Sequence, residues 1–168
     1  MAVMTLDPTL PETLTGAGLK KELSKGNAKK VLVVDSDTSI HIFYKSSLEQ
    51  IVGSGNVTLV SGISEAYSAL KTSFYSAYVI EPYMQAAGRN DWGFEVVDYI
   101  RRKEGNYDSV WILSAEHNLL KDGEAKGIKH FYTKKDQREA DGYKTKEDFL
   151  NDIRLELSGG GGTASETD

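Results

Sequence analysis

Four short apolar runs in this chain each end at a group able to handle phosphate. Val31 to Val34 run into Asp35-Ser36-Asp37, Val79-Ile80 into Glu81, Val110 to Leu113 into Ser114, and Ile128 to Tyr132 leads two residues on to Lys134. Carboxylates can hold a divalent cation or attack phosphorus, while a lysine and a hydroxyl can hold phosphoryl oxygens. All of these groups stand at the carboxyl ends of short buried strands, where open parallel α/β sheets place their ligand sites.

The elements needed to position them follow from periodicity. Val31-Leu32-Val33-Val34 is too short and too β-branched for a helix, and Thr38 to Ile51 then sets Ile40, Tyr44, Leu48 and Ile51 on one helical face. Asn56 to Val60 reads as a second strand, followed by a helix with Ile63, Ala66, Tyr67 and Leu70 at i, i+3, i+4 and i+7. Tyr78 to Ile80 is the third strand, Phe94, Val97 and Ile100 line the third helix, and Val110 to Leu113 is the fourth strand. A short helix around Glu116 to Asp122 and a strand at Ile128 to Tyr132 come next. The last helix is expected to start at Thr145, capped reciprocally with Asp148, and to bury Phe149, Ile153 and Leu157. Five β-α units with continuous apolar strands predict an α/β fold: a parallel five-stranded sheet covered by helices on both faces.

The 168 residues suit one domain with tails. Residues 1–28 lack a sustained apolar period and read as a flexible leader in which Leu19 to Leu23 could form one helical turn, with the folded domain at 29–157. Residues 158–168, with four consecutive glycines, read as a disordered tail; no lysine and hydroxyl follow the glycines as a phosphate loop would require. A net charge of -5 with scattered basic residues gives no footprint for nucleic acid. The lack of a long apolar stretch or a signal-like start argues against membrane insertion or secretion, and the absence of cysteine agrees with a cytoplasmic location.

Taken together, residues Lys30 to Leu157 resemble a response-regulator receiver domain. Asp35-Ser36 stands where that family has an acidic pair, and Glu81 stands where it has the phosphoaccepting aspartate. Met84, Asp91-Trp92-Gly93-Phe94, Ser114-Ala115 and Lys134 match further family positions, and Phe131 lies at the place of its switching aromatic. The loop from Gln85 to Asn90 is longer than the family's, and Lys135 replaces a proline. The resemblance implies a flavodoxin-like three-layer α/β/α sandwich with strand order 2-1-3-4-5. It also implies a protein of two-component phosphorelay signalling, not an enzyme in its own right, with an output surface over the last two helices.

The departures weaken the implied chemistry. Ser36 removes a charge from the magnesium site, leaving Asp35 as a weak metal ligand, and Asp37 is expected to cap the following helix. The extra methylene of Glu81 spoils in-line attack and brings its carboxylate toward Lys134 and Ser114. The expectation is therefore a stand-alone pseudo-receiver, an adaptor with no required cofactor, working through protein contacts such as a histidine kinase or a scaffold. Glu81 would either mimic a phosphorylated state or merely fill an old pocket with an ion pair. A homodimer through the last two helices is a further expectation, with Trp92, Phe131, Lys134 and Lys135 as interface candidates. One alternative is a receiver that still accepts phosphate weakly. Another is a haloacid-dehalogenase-like phosphatase, whose first motif Asp35-Ser36-Asp37-Thr38 resembles, with Asp35 as nucleophile and Asp37 as general acid. His41, His117 and His130 show no metal-ligand spacing, Trp111 reads as a core anchor, and Lys134 to Asp148 as a solvated face.

Overall fold

Because their residues are apolar without alternation, β1 (Val31–Val34), β3 (Ala77–Ile80) and β4 (Val110–Ser114) are buried on both faces. The computed structural model describes residues 28–84, 92–136 and 142–159, with the side chain of Trp92 outside that set. With β2 (Val57–Val60) and β5 (His130–Thr133) these strands form one parallel sheet in the order β2-β1-β3-β4-β5. That is the layer and strand order expected from the sequence. The leader and tail lie outside the described residues except for Ala28, Ser158 and Gly159, as does the loop from Gln85 to Asn90.

The helices divide between the faces. On one face α1 (His41–Val52) and α5 (Lys146–Leu157) bring Tyr44, Leu48, Phe149, Ile153 and Leu157 onto Val31, Val33, Val79 and Trp111. On the other, α2 (Ile63–Thr72), α3 (Trp92–Glu104) and α4 (His117–Ala125) bury Leu70, Phe94, Val97, Ile100 and Leu120 against Leu32, Ile80 and Ile112. The alternation of each strand thus feeds two separate cores, which is why the sheet needs helices on both sides.

Several boundaries differ from the sequence reading for identifiable reasons. The first helical segment is split: Asp37 caps a 3-10 turn at Thr38–Ile40, and the α-helix begins at His41. β5 starts at His130 instead of Ile128, because Gly127 takes a positive φ of 81° and Ile128 is tied to Gly123 O, not to β4. α3 begins at Trp92. The stretch from Lys134 to Asp148 is more than a solvated face: Thr133 N–H donates to Lys144 O at 2.8 Å, Tyr132 pairs in parallel with Lys144, and Thr145 is buried. Thr145 and Asp148 form the expected reciprocal cap of α5.

Candidate functional site

The sheet ladder continues one residue beyond the strands and fixes the site backbone. Asp35 N–H donates to Val60 O, Glu81 N–H to Val34 O at 2.9 Å, and Lys134 N–H to Ser114 O at 3.0 Å. Asp35, Glu81, Ser114 and Lys134 therefore converge at the carboxyl edge of the three central strands and β5. A cavity of about 450 Å³ opens there, lined by Asp35, Ser36, Asp37, Glu81, Tyr83 and Lys134 among others.

Its centre is an ion triad. Lys134 Nζ lies 2.8 Å from Asp35 Oδ2 and 2.9 Å from Glu81 Oε2. Asp35 is fully buried and Glu81 is 4% exposed. Burial pushes the Glu81 carboxyl above its ordinary range, against the pull of Lys134, the Tyr83 N–H and the Ser114 hydroxyl. Burial on its own would lower the pKa of Lys134, but the charges of Glu81 and Asp35 outweigh it and hold the ammonium above its ordinary value. Lys134 is thus a cation held between two acids.

The remaining oxygens of these carboxylates are also engaged. Asp35 Oδ1 accepts from Asp37 N–H at 2.9 Å, and Oδ2 accepts from the Tyr44 hydroxyl at 3.0 Å as well as meeting Lys134. Glu81 Oε1 accepts from Tyr83 N–H at 2.8 Å. Asp37 is turned away, its carboxylate receiving both the amide and the hydroxyl of Ser39, contacts that lower its pKa. Ser36 reaches only toward Tyr83 O at 3.5 Å. Asp35 and Glu81 each accept hydrogen bonds in addition to meeting Lys134, and among the described residues there is no group of three or more acids or histidines suited to holding a metal.

Ser114 is buried at the end of β4; its oxygen accepts from Glu116 N–H at 3.1 Å and its hydroxyl is hydrogen-bonded to Glu81. Phe131 is half-buried against the α2-α3-α4 core and meets Tyr143 edge-on, with ring centroids 5.6 Å apart. Lys135 is exposed. The triad and Ser114 are therefore brought together as the strand ends suggested, whereas Phe131 lies on the opposite strand face from Tyr132 and outside the cavity.

Two participants escaped sequence reasoning. Tyr44 reads as one more apolar position of α1, yet its hydroxyl is the buried donor to Asp35, and its own pKa is raised well above normal by burial and then by Asp35. His41 places Nε2 2.8 Å from Asp35 O. A tyrosine on a buried helical face nine residues after a site acid is the signal that was available, since a buried phenol requires a partner. Tyr44→Phe is expected to cost about 1–3 kcal/mol by removing a donor from a buried carboxylate. Urea denaturation checks this, and a loss within error would mean that Asp35 is satisfied without Tyr44.

No family model and no curated protein matches the chain. Solved structures do. The CheY-like receiver domain from Methanospirillum hungatei JF-1 superposes with a TM-score of 0.60 at 16% identity, over 79% of this chain and 95% of that one. The receiver domain of Francisella response regulator 1452 gives 0.53 at 23% identity, over 77% and 93%. Response regulator TrrA from Thermotoga maritima, solved with Mg2+ and BeF, gives 0.58 at 21% identity, over 77% and 98%. The fold is that of response-regulator receiver domains, and no helix among the described residues is long and apolar enough to cross a membrane.

Proposed function

We propose that this receiver fold serves as a pseudo-receiver: a signalling module that acts by binding proteins, with the Asp35-Lys134-Glu81 triad in place of a magnesium-phosphoryl centre. The observation that carries this reading is the position of Lys134, within 2.9 Å of both acids, together with the attachment of Ser114 to Glu81. In a working receiver the lysine and the hydroxyl turn toward a phosphoryl group. Here both turn to the carboxylate of Glu81, so the chain itself supplies the anion that phosphorylation would bring.

The reading has three consequences. The site needs no magnesium, because Lys134 supplies the positive charge between its two carboxylates. The output face, formed by α4, β5 and α5 with Phe131 and Lys135, is held in one state and offered to a histidine kinase, a scaffold or a second copy of the chain; Trp92 remains a candidate contact at the start of α3. Phosphate transfer to Asp35 or Asp37 is not favoured, since Asp35 is enclosed and Asp37 is committed to its cap; the same contacts leave a phosphatase without a free nucleophile.

Two substitutions test the proposal. Glu81→Gln is expected to shift the amide resonances of Ser114, Phe131 and Tyr143 and to weaken partner or self-association severalfold. An unchanged spectrum would reduce the ion pair to simple filling. Glu81→Asp is expected to remain unlabelled by acetyl phosphate with magnesium present. Robust labelling would show a competent metal site and overturn the metal-independent reading.

A further inference from the structure

Away from the triad, a second cavity of about 670 Å³ runs along β5 between the segment Gly142 to Lys144 and the outer face of α5. Its walls carry three features unaccounted for by the site already described. The first is Trp111, 1% exposed, whose indole N–H has no hydrogen-bond partner among the described residues. Its nitrogen is enclosed, so an occupant of the cavity would meet the ring and not the N–H. The second is Leu155, 67% exposed at the rim, one of two large apolar side chains described as exposed. The third is Glu156, 3.5 Å from His130, which stacks on Trp111 at 3.9 Å; Asp152 on the same wall is already paired with Lys144 at 2.7 Å, and Lys129 also lines the cavity. An occupant that suits them would offer apolar side chains and a cation for Glu156.

The chain carries such a segment close by. Lys29 Nζ donates to Leu157 O, which places the start of the described structure at the end of the helix whose Leu155 and Glu156 border the cavity. Residues 1–27 precede it, and within them Leu19-Lys20-Lys21-Glu22-Leu23 sets two leucines at i and i+4 beside two lysines. The five residues from Ser24 to Ala28 can span about 16–18 Å when extended. A tether of that length keeps the segment at high effective concentration near the cavity.

We propose that Leu19 to Leu23 of the N-terminal leader dock in this cavity of the same chain. The leucines cover Leu155, and Lys20 or Lys21 faces Glu156. The leader then occupies part of the surface that α5 would present to a partner, whatever the state of Glu81.

The absence of cysteine allows a single nitroxide to be placed by Glu22→Cys in the full chain. The expected result is severalfold paramagnetic broadening of the Trp111 indole and of the Leu155 and Glu156 amides, largely relieved when Leu19→Asp and Leu23→Asp are added. Equal broadening with and without those changes would show tether proximity alone and overturn the proposal. A sample mixing isotope-labelled, nitroxide-free chains with unlabelled, nitroxide-bearing chains should show no broadening. Broadening there would assign the cavity to a second copy and likewise overturn docking within one chain.

Discussion

Replacing Lys134 by Met is expected to destabilise the protein by about 3–5 kcal/mol at neutral pH, the cost of removing one partner from a buried ionic group. The loss is large because Asp35 and Glu81 would then face each other across an enclosed cavity with no cation between them. Urea denaturation measures it, as a lower midpoint with an unchanged slope. Adding Glu81→Leu to Lys134→Met should restore part of the loss, since a well-packed apolar pair can replace a buried ion pair at little cost. A double variant no better than the single one would mean that Glu81 contributes no repulsion.

The pH dependence follows from the same shifts. Lys134 is held above its ordinary 10.5, so its contribution is complete below that pH and fades as pH rises through the higher folded value. Glu81 is also raised, from 4.5, so the stability linked to it is present below 4.5 and lost as pH rises through its folded pKa. Once ionised, Glu81 is thus a net cost that Lys134 offsets only in part. Glu81→Gln should therefore destabilise less than Lys134→Met, and only the lysine variant should lose the alkaline limb of the stability curve.

The second large effect is expected at Gly93, where space and not backbone conformation is limiting. A Cβ there would lie 2.5 Å from both Glu81 O and Pro82 Cα, closer than any real contact. Gly93 N–H also donates to Pro82 O at 3.2 Å, so the start of α3 rests directly on the chain leaving β3. Gly93→Ala should cost about 1–3 kcal/mol by overpacking, and because the backbone that must give way carries Glu81, it should also disturb the Lys134 contact. Gly123→Ala is the matched control: its Cβ would meet Ile112 at an ordinary 3.6 Å, and a helical alanine is favoured over glycine by roughly 0.5–1 kcal/mol. Thermal melts of the two variants should move in opposite directions. A neutral Gly93→Ala would mean that α3 slides without engaging the site.

The sheet was legible because it rests on short-range pattern. Val31 to Val34 and Val110 to Leu113 can only be buried strands, and their right-hand neighbours in sequence, Asp35 and Ser114, must then emerge at one edge. Lys134 was legible for the same reason, and the Asp37 turn because a carboxylate before a helix seeks free amides. What sequence hid was the allocation of individual lone pairs. Nothing in the pattern says that Asp35 would receive Tyr44, Asp37 and Lys134 together, because hydrogen-bond partners depend on how α1 is rotated onto the sheet. The starts of β5 and α1 were missed because the pattern of apolar residues continues through Ile128 and Ile40, whereas Gly127 and the Asp37 cap delay the regular element.

The pairing of Lys144 against β5 has a consequence for how this sheet could misassemble. A sheet grows into a fibre only if both of its edges accept a new strand, and here the outer edge of β5 is interrupted where Thr133 N–H is already taken by Lys144 O. That leaves β2, four residues long, as the edge without such a cover among the described residues. Two chains can join through β2 and, having done so, have used the edge each had to give. Edge pairing is thereby expected to favour a closed pair through β2 over open-ended growth.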